Sequence, residues 1–236
     1  MTARRRYADE LATLADEDVV AYLTARSGLP GPRSNLELLG AFGDVAPSPL
    51  VLRLADAEDE YLRCCGTAAL GRLWLEAADE PARARAEETL TRRAADAMWR
   101  VREGAAMAGQ RIGAASPEGL AGLVGRWLDA GDPLVARAAI AAVCEPPILR
   151  PSPSLRAAAL DACDRATALL RAVPAERRRD PDVRTLRQGL AYCWSVAVAA
   201  DPQAGLPRFL ALATDDPDVA WLVGQNRAKA RLAHLL

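Results

Sequence analysis

The chain of 236 residues is 51% hydrophobic and 26% charged, enough apolar material to bury a sizeable core and too much for a disordered tail. Its 30 Lys and Arg residues against 31 Asp and Glu give a net charge of -1, which excludes the overall basic field of a strong nonspecific nucleic-acid binder and leaves room only for local patches. One His and no recognisable metal-ligand spacing leave little material for a metal site or a His-based catalytic triad, so neither a metal nor an organic cofactor is expected.

Cys64, Cys65, Cys144, Cys163 and Cys193 are odd in number, form no CxxC pair and sit among Ala and Leu, which reads as reduced, packed thiols in a cytoplasmic protein. Asp9 and Glu10 interrupt the stretch where a secretion signal would need apolar residues. No run of about 18 apolar residues exists to span a membrane. Lys229 is the sole Lys among many Arg, a bias that points to a GC-rich bacterial source.

Ala, Leu and Arg dominate, Ile occurs only at positions 112, 140 and 148, and aromatic residues make up 5%, a balance that predicts an all-α fold. Residues 1–50 read as a degenerate N-terminal capping repeat, with helices near 7–26 and 34–44. Between them Ser27-Gly-Leu-Pro-Gly-Pro-Arg-Ser34 forms a rigid loop, because two Pro and two Gly cannot continue a helix. Beyond it, apolar residues recur at helical spacing, as in Leu62, Cys65, Ala69 and Leu73 and again in Val101, Ala105, Ala108 and Ile112.

These windows also repeat. Leu62-Arg63 matches Val101-Arg102, 39 residues on, and Val135 in Asp132-Pro-Leu-Val-Ala-Arg-Ala-Ala lies 34 further. Asp-Pro-Asp-Val then occurs at 180–183 and 216–219, a spacing of 36. Asp-Pro suits a helix start: the carboxylate caps free amides, and Pro at the first helical position forfeits no hydrogen bond. The longer gap between Val135 and Val183 holds an insertion around 145–180, containing the Pro-rich 145–153 and the Arg-rich 176–180.

In Asp132-Pro-Leu-Val-Ala-Arg-Ala-Ala and Asp216-Pro-Asp-Val the pattern resembles the HEAT-repeat family over residues 51–236. The resemblance implies a single domain over 1–236, a right-handed α-α superhelix of about six antiparallel helix pairs, each burying its apolar stripe on the next. Solenoids of this kind usually supply extended surfaces, so the first functional expectation is an interaction scaffold whose concave face binds a protein partner.

Among residues that can carry chemistry, Trp99 and Glu103 are four apart and share a helix face, and Arg137 follows Glu103 by one local repeat. Tyr192 and Trp194 form a later aromatic pair. Arg177, Arg178, Arg179, Arg184 and Arg187 form a basic stretch able to reach phosphates or an acidic surface. Trp74, Trp127 and Trp221 sit in apolar windows and are assigned to packing between helices, and His234 to the surface. Gly28 and Gly31 fit neither GxxxxGK[ST] nor GxGxxG, so no nucleotide cofactor is expected.

The segment Pro117 to Ile140, the Gly28-Leu-Pro-Gly-Pro-Arg33 loop and Leu186 to Pro202 are similar to stretches of the bacterial alkylpurine DNA glycosylases built from HEAT-like repeats. That resemblance implies DNA alkylation repair on duplex DNA: Glu103 as the catalytic carboxylate that stabilises the positive sugar and orients water, Trp99 and Tyr192 or Trp194 as aromatic cleft residues, and Arg137 as the phosphate holder. Glu103 stands where close relatives place Asp, and the second tryptophan aligns with Tyr192 rather than Trp194. The same residues also fit ordinary repeat positions, which leaves scaffold and glycosylase as two open readings.

Overall fold

A computed structural model describes all 236 residues. It is all-helical, with fifteen α-helices and no strand. The helices are α1 (Ala3–Leu11), α2 (Asp16–Ala25), α3 (Leu36–Val45), α4 (Ser48–Ala55), α5 (Glu60–Glu76), α6 (Glu80–Ala94), α7 (Trp99–Ala115), α8 (Pro117–Asp129), α9 (Pro133–Val143), α10 (Pro146–Leu149), α11 (Pro153–Ala172), α12 (Pro181–Ala200), α13 (Pro202–Leu210), α14 (Pro217–Arg227) and α15 (Ala230–Ala233). None is long and apolar enough to cross a membrane.

The chain divides into two compact units, Met1–Ile112 and Gly113–Leu236. In the first, α1 packs on α3 and α3 on α5, with α4 and α6 against α5. The part of α7 belonging to this unit lies against α5: Cys64 donates its thiol to the Arg100 carbonyl at 3.1 Å. The close approach is made by glycine, since a Cβ on Gly71 would lie 2.5 Å from the Ala108 carbonyl oxygen. In the second unit α9, α12 and α14 pack in sequence, with α8 and α11 against α9, α11 and α13 against α12, and α15 on α12 and α14.

Five helices enter these rows in the same way. Leu62, Val101, Val135, Val183 and Val219 are each the third residue of α5, α7, α9, α12 and α14, and all are buried. Those are the positions the sequence periodicity aligned. Asp59 accepts from the amide of Leu62, Asp132 from Leu134 and Val135, and Asp216 from Asp218 and Val219, so a carboxylate caps the free amides at each of these starts. Arg63 on α5 and Arg102 on α7 also do the same work, each donating back to a carbonyl six residues earlier, Ala57 and Asp96 respectively. Arg63 further pairs with the buried Asp96 at 3.1 Å.

The N-terminal expectation needs one correction: the helix expected over 7–26 is two helices, α1 and α2, broken at residues 12–15. Asp16, Glu17 and Asp18 occupy the first turn of α2, where the positive helix dipole favours acids and where a helix interior would not. The helix expected near 34–44 is present as α3. The Ser27–Ser34 segment is non-helical and closed by the Asn35 amide donating to the Ser27 carbonyl at 2.8 Å. Gly28 has φ +78 there, and a Cβ on it would meet the Arg33 carbonyl at 2.6 Å. The insertion around 145–180 is mostly helix: α10, the twenty-residue α11 and a short 3-10 turn at Ala175–Arg177. All five cysteines are free and buried.

The α14 cap gives a test with a defined sign. Burial works to raise the Asp216 carboxyl, but the Arg178 guanidinium and the amides of Val219 and Asp218 hold it below the usual carboxylate range. A depressed folded pKa contributes stability that is complete above the unfolded value of 3.8 and is lost as pH falls through the folded one. Asp216→Ala is therefore expected to cost about 1–2 kcal/mol at pH 7 in denaturant unfolding, a cost that holds down to the unfolded value of 3.8 and shrinks as pH falls below it. A penalty equally large at pH 2 would contradict the capping account.

Candidate functional site

In the first unit, Trp99 opens α7 and is 53% exposed. The Arg100 guanidinium sits 4.5 Å from its ring centroid and is held by Glu60 of α5 at 2.8 Å. Glu103 follows one helical turn after Trp99 and is half-buried. Its charge is felt locally: burial pushes the Cys64 thiol up to about 12, and the carboxylates of Glu60 and Glu103 add to that push. Trp99, Arg100, Glu60, Glu103 and Cys64 thus form one neighbourhood where α5 meets α7, with the indole outward and the thiol buried.

Along the same row, Asp44 of α3 pairs with Arg4 of α1 at 2.7 Å and with Arg111 of α7 at 2.9 Å. Burial would raise the Asp44 carboxyl, yet the two guanidiniums hold it below the usual range.

In the second unit, Arg137 on α9 is half-buried and runs its stem over Gly189 of α12; a Cβ there would lie 3.1 Å from the Arg137 Cγ. Tyr192 is three residues beyond Gly189, on the same helix face, and 45% exposed. Arg231 of α15 stacks 4.7 Å over the Tyr192 ring and donates to its hydroxyl at 3.2 Å.

Trp194 lies elsewhere. It is fully buried, its Nε1 donates to the Thr167 hydroxyl at 3.0 Å, and its ring meets Phe209 at 5.9 Å. Two residues along a helix rotate a side chain by about 200°, so Tyr192 and Trp194 cannot share a face. The expectation of Trp194 as a binding aromatic is therefore corrected: it is a core residue. Trp74 and Trp127 are buried as assigned, whereas Trp221, also assigned to packing, is 37% exposed.

The basic stretch is largely spent on neighbouring acids. Arg177 pairs with Asp180 and Asp182, Arg178 with Asp216 and Asp218, and Arg187 with Asp218 while covering the Trp221 ring at 4.5 Å. Arg179 and Arg184 are exposed and belong to none of these pairs. Arg178 and Arg187 thus strap the 3-10 turn and α12 to the head of α14, while Arg177 is matched locally.

A pattern emerges that residue spacing did not show. Trp99, Tyr192 and Trp221 are the aromatic side chains among the exposed large hydrophobics, and each ring is covered by an arginine. All three lie on helices of the two rows. Beside Tyr192 a cavity of about 490 Å³ opens, lined in part by Arg150, Arg156 and Arg231. Sequence reasoning missed these three because their convergence is tertiary: Arg150 and Arg156 lie in the segment read as an insertion, and Arg231 lies 75 residues beyond Arg156.

No protein-family model and no curated protein matches this chain. Two crystal structures of engineered proteins from the Northeast Structural Genomics Consortium are similar to it. The first matches at 16% identity over 96% of this chain and 97% of its own, with a TM-score of 0.41. The second matches at 17% identity over 96% and 95%, with a TM-score of 0.37.

The contrast between neighbouring aromatics is directly testable. Trp194→Ala is expected to destabilise by about 3–5 kcal/mol, the range for emptying a core aromatic site. Tyr192→Ala is expected to change stability by less than about 1 kcal/mol. Chemical denaturation measures both, and equal penalties would contradict the placement of the two rings.

Proposed function

We propose that the chain is a cytoplasmic HEAT-like repeat scaffold, about six helix pairs long, that binds a macromolecular partner through the exposed faces of its row helices. The observation that carries this reading is the set of arginine-covered aromatic rings. Aromatic and Arg side chains are the residues most enriched where interfaces concentrate their energy, since a ring buries much area with little rotamer loss and a guanidinium holds planar acceptors. The recurring third-position apolar residue and the Asp caps of α5, α9 and α14 support the repeat assignment.

A photoreactive phenylalanine analogue introduced at Trp99, Tyr192 or Trp221 is expected to cross-link one and the same partner in cells. The same analogue at Leu52, an exposed position on α4, is expected to capture nothing specific. Equal labelling from position 52, or none from position 99, would overturn the scaffold reading.

One observation favours a second reading. Trp99 is more than half exposed and stands one turn from Glu103, the arrangement that the resemblance to alkylpurine DNA glycosylases requires at those positions. In that chemistry a cationic N-alkylated purine is already a good leaving group, an indole face attracts its charge, and a carboxylate stabilises the positive sugar of the transition state while orienting water. Base release from a methylated duplex tests it: the reading expects excision by the wild type and its loss in both Glu103→Gln and Trp99→Ala. Absence of excision together with absence of salt-dependent duplex binding removes it.

A further inference from the structure

The cavity beside Tyr192 has a chemistry that the scaffold reading does not use. Three of its lining side chains are arginines, none is a carboxylate, and its apolar floor is the part-exposed Pro146, Ala199 and Ala200, backed by the buried Leu149 and Val196. Its volume of about 490 Å³ falls within the ~300–1,000 Å³ usual for small-molecule sites.

Each cation is held differently. Arg156, half-buried on α11, donates through one nitrogen, Nη1, to the carbonyls of Leu149 and Arg150 at 3.2 and 3.0 Å, which fixes its guanidinium against the end of α10. Arg231 is fixed on Tyr192, whose ring it covers and whose hydroxyl it meets. Arg150 is exposed and appears in none of the ion pairs of this unit. Such a site has preset donors in fork geometry, unneutralised positive charge and an apolar floor.

We propose that this cavity binds a small organic oxyanion with a flat apolar body: a phosphate or carboxylate head received by Arg150, Arg156 and Arg231, and an aromatic body laid over Pro146, Ala199 and Ala200 against Tyr192. The head group satisfies the charge that the lining leaves without an acid, and the body occupies floor area that water solvates poorly. An inorganic anion would use only the first feature and a neutral arene only the second, so neither alone suffices. The proposal shares Tyr192 and Arg231 with the scaffold reading but needs no macromolecular partner, and all the residues it uses lie between Pro146 and Arg231 within one unit.

Isothermal titration of the full chain with 1-naphthyl phosphate, 1-naphthoate, 1-naphthol and inorganic phosphate tests it. Expected are saturable one-to-one binding of at least one naphthyl anion, at least about tenfold tighter than naphthol or inorganic phosphate, with the stronger of the two anions identifying the head group. Arg150→Gln, at an exposed position with no fold-bearing role, is expected to weaken that binding about tenfold, and Tyr192→Leu to weaken it by a similar factor without loss of helical circular dichroism. Naphthol binding as tightly as the naphthyl anions, an unchanged affinity in Arg150→Gln, or no saturable binding of either anion would each overturn the proposal.

Discussion

The structure depends on how its row helices begin. At α5, α9 and α14 a carboxylate takes up amides that no carbonyl within the helix can reach, and in all five row helices an apolar side chain at the third position is buried against the neighbouring elements. Because a helix is rigid over its length, fixing its first turn fixes where every later side chain points, 100° per residue. The buried stripe of α5 through Cys65 and Ala69 follows from that start; α12, whose Asp180 makes no side-chain cap bond, buries Leu186, Leu190 and Trp194 from the third-position Val183 alone. Small residues let the helices close on one another: at Gly71 there is no room for a methyl group against Ala108.

The same rigidity decides what remains outside. Once the apolar stripe of α12 is buried, Tyr192 must face away from Trp194; once Val101 and Ala105 are buried, Trp99 emerges from the first turn of α7. Exposed aromatic rings are expensive in water, and here each carries a guanidinium over its face, a contact worth about 0.5–1 kcal/mol at exposed sites. Those guanidiniums are in turn anchored, Arg100 by Glu60 and Arg187 by Asp218. These ring-covering arginines are thus matched by acids while presenting aromatic and cationic chemistry together.

Much of the fold was legible in the sequence because its signals are local and periodic. The Asp-Pro starts, the third-position apolar residues and the Pro- and Gly-rich loop all act within one helical turn or one tight segment. The split of the 7–26 region was less visible, since only the acidic triplet at 16–18 marked a new start in an otherwise helix-prone stretch. The candidate site was legible in part. Trp99 and Glu103 share a helix, so their spacing was informative, whereas Tyr192 and Trp194 could be told apart only by knowing which stripe of α12 is buried. Arg178 and Arg187 looked free because their acids, Asp216 and Asp218, lie some thirty or more residues away. Arg150, Arg156 and Arg231 left no sequence signal at all, because only tertiary packing brings them to one cavity.

The central claim is that the row helices bury one set of aromatic rings while turning Trp99 and Trp221 outward. Hydroxyl-radical footprinting of the native chain, read by mass spectrometry at each tryptophan, tests it most directly. The account predicts rapid oxidation at Trp99 and Trp221 and protection at Trp74, Trp127 and Trp194 until the protein unfolds. Protection at Trp99 with oxidation at Trp194 would contradict it, and with it the surface on which both functional readings stand.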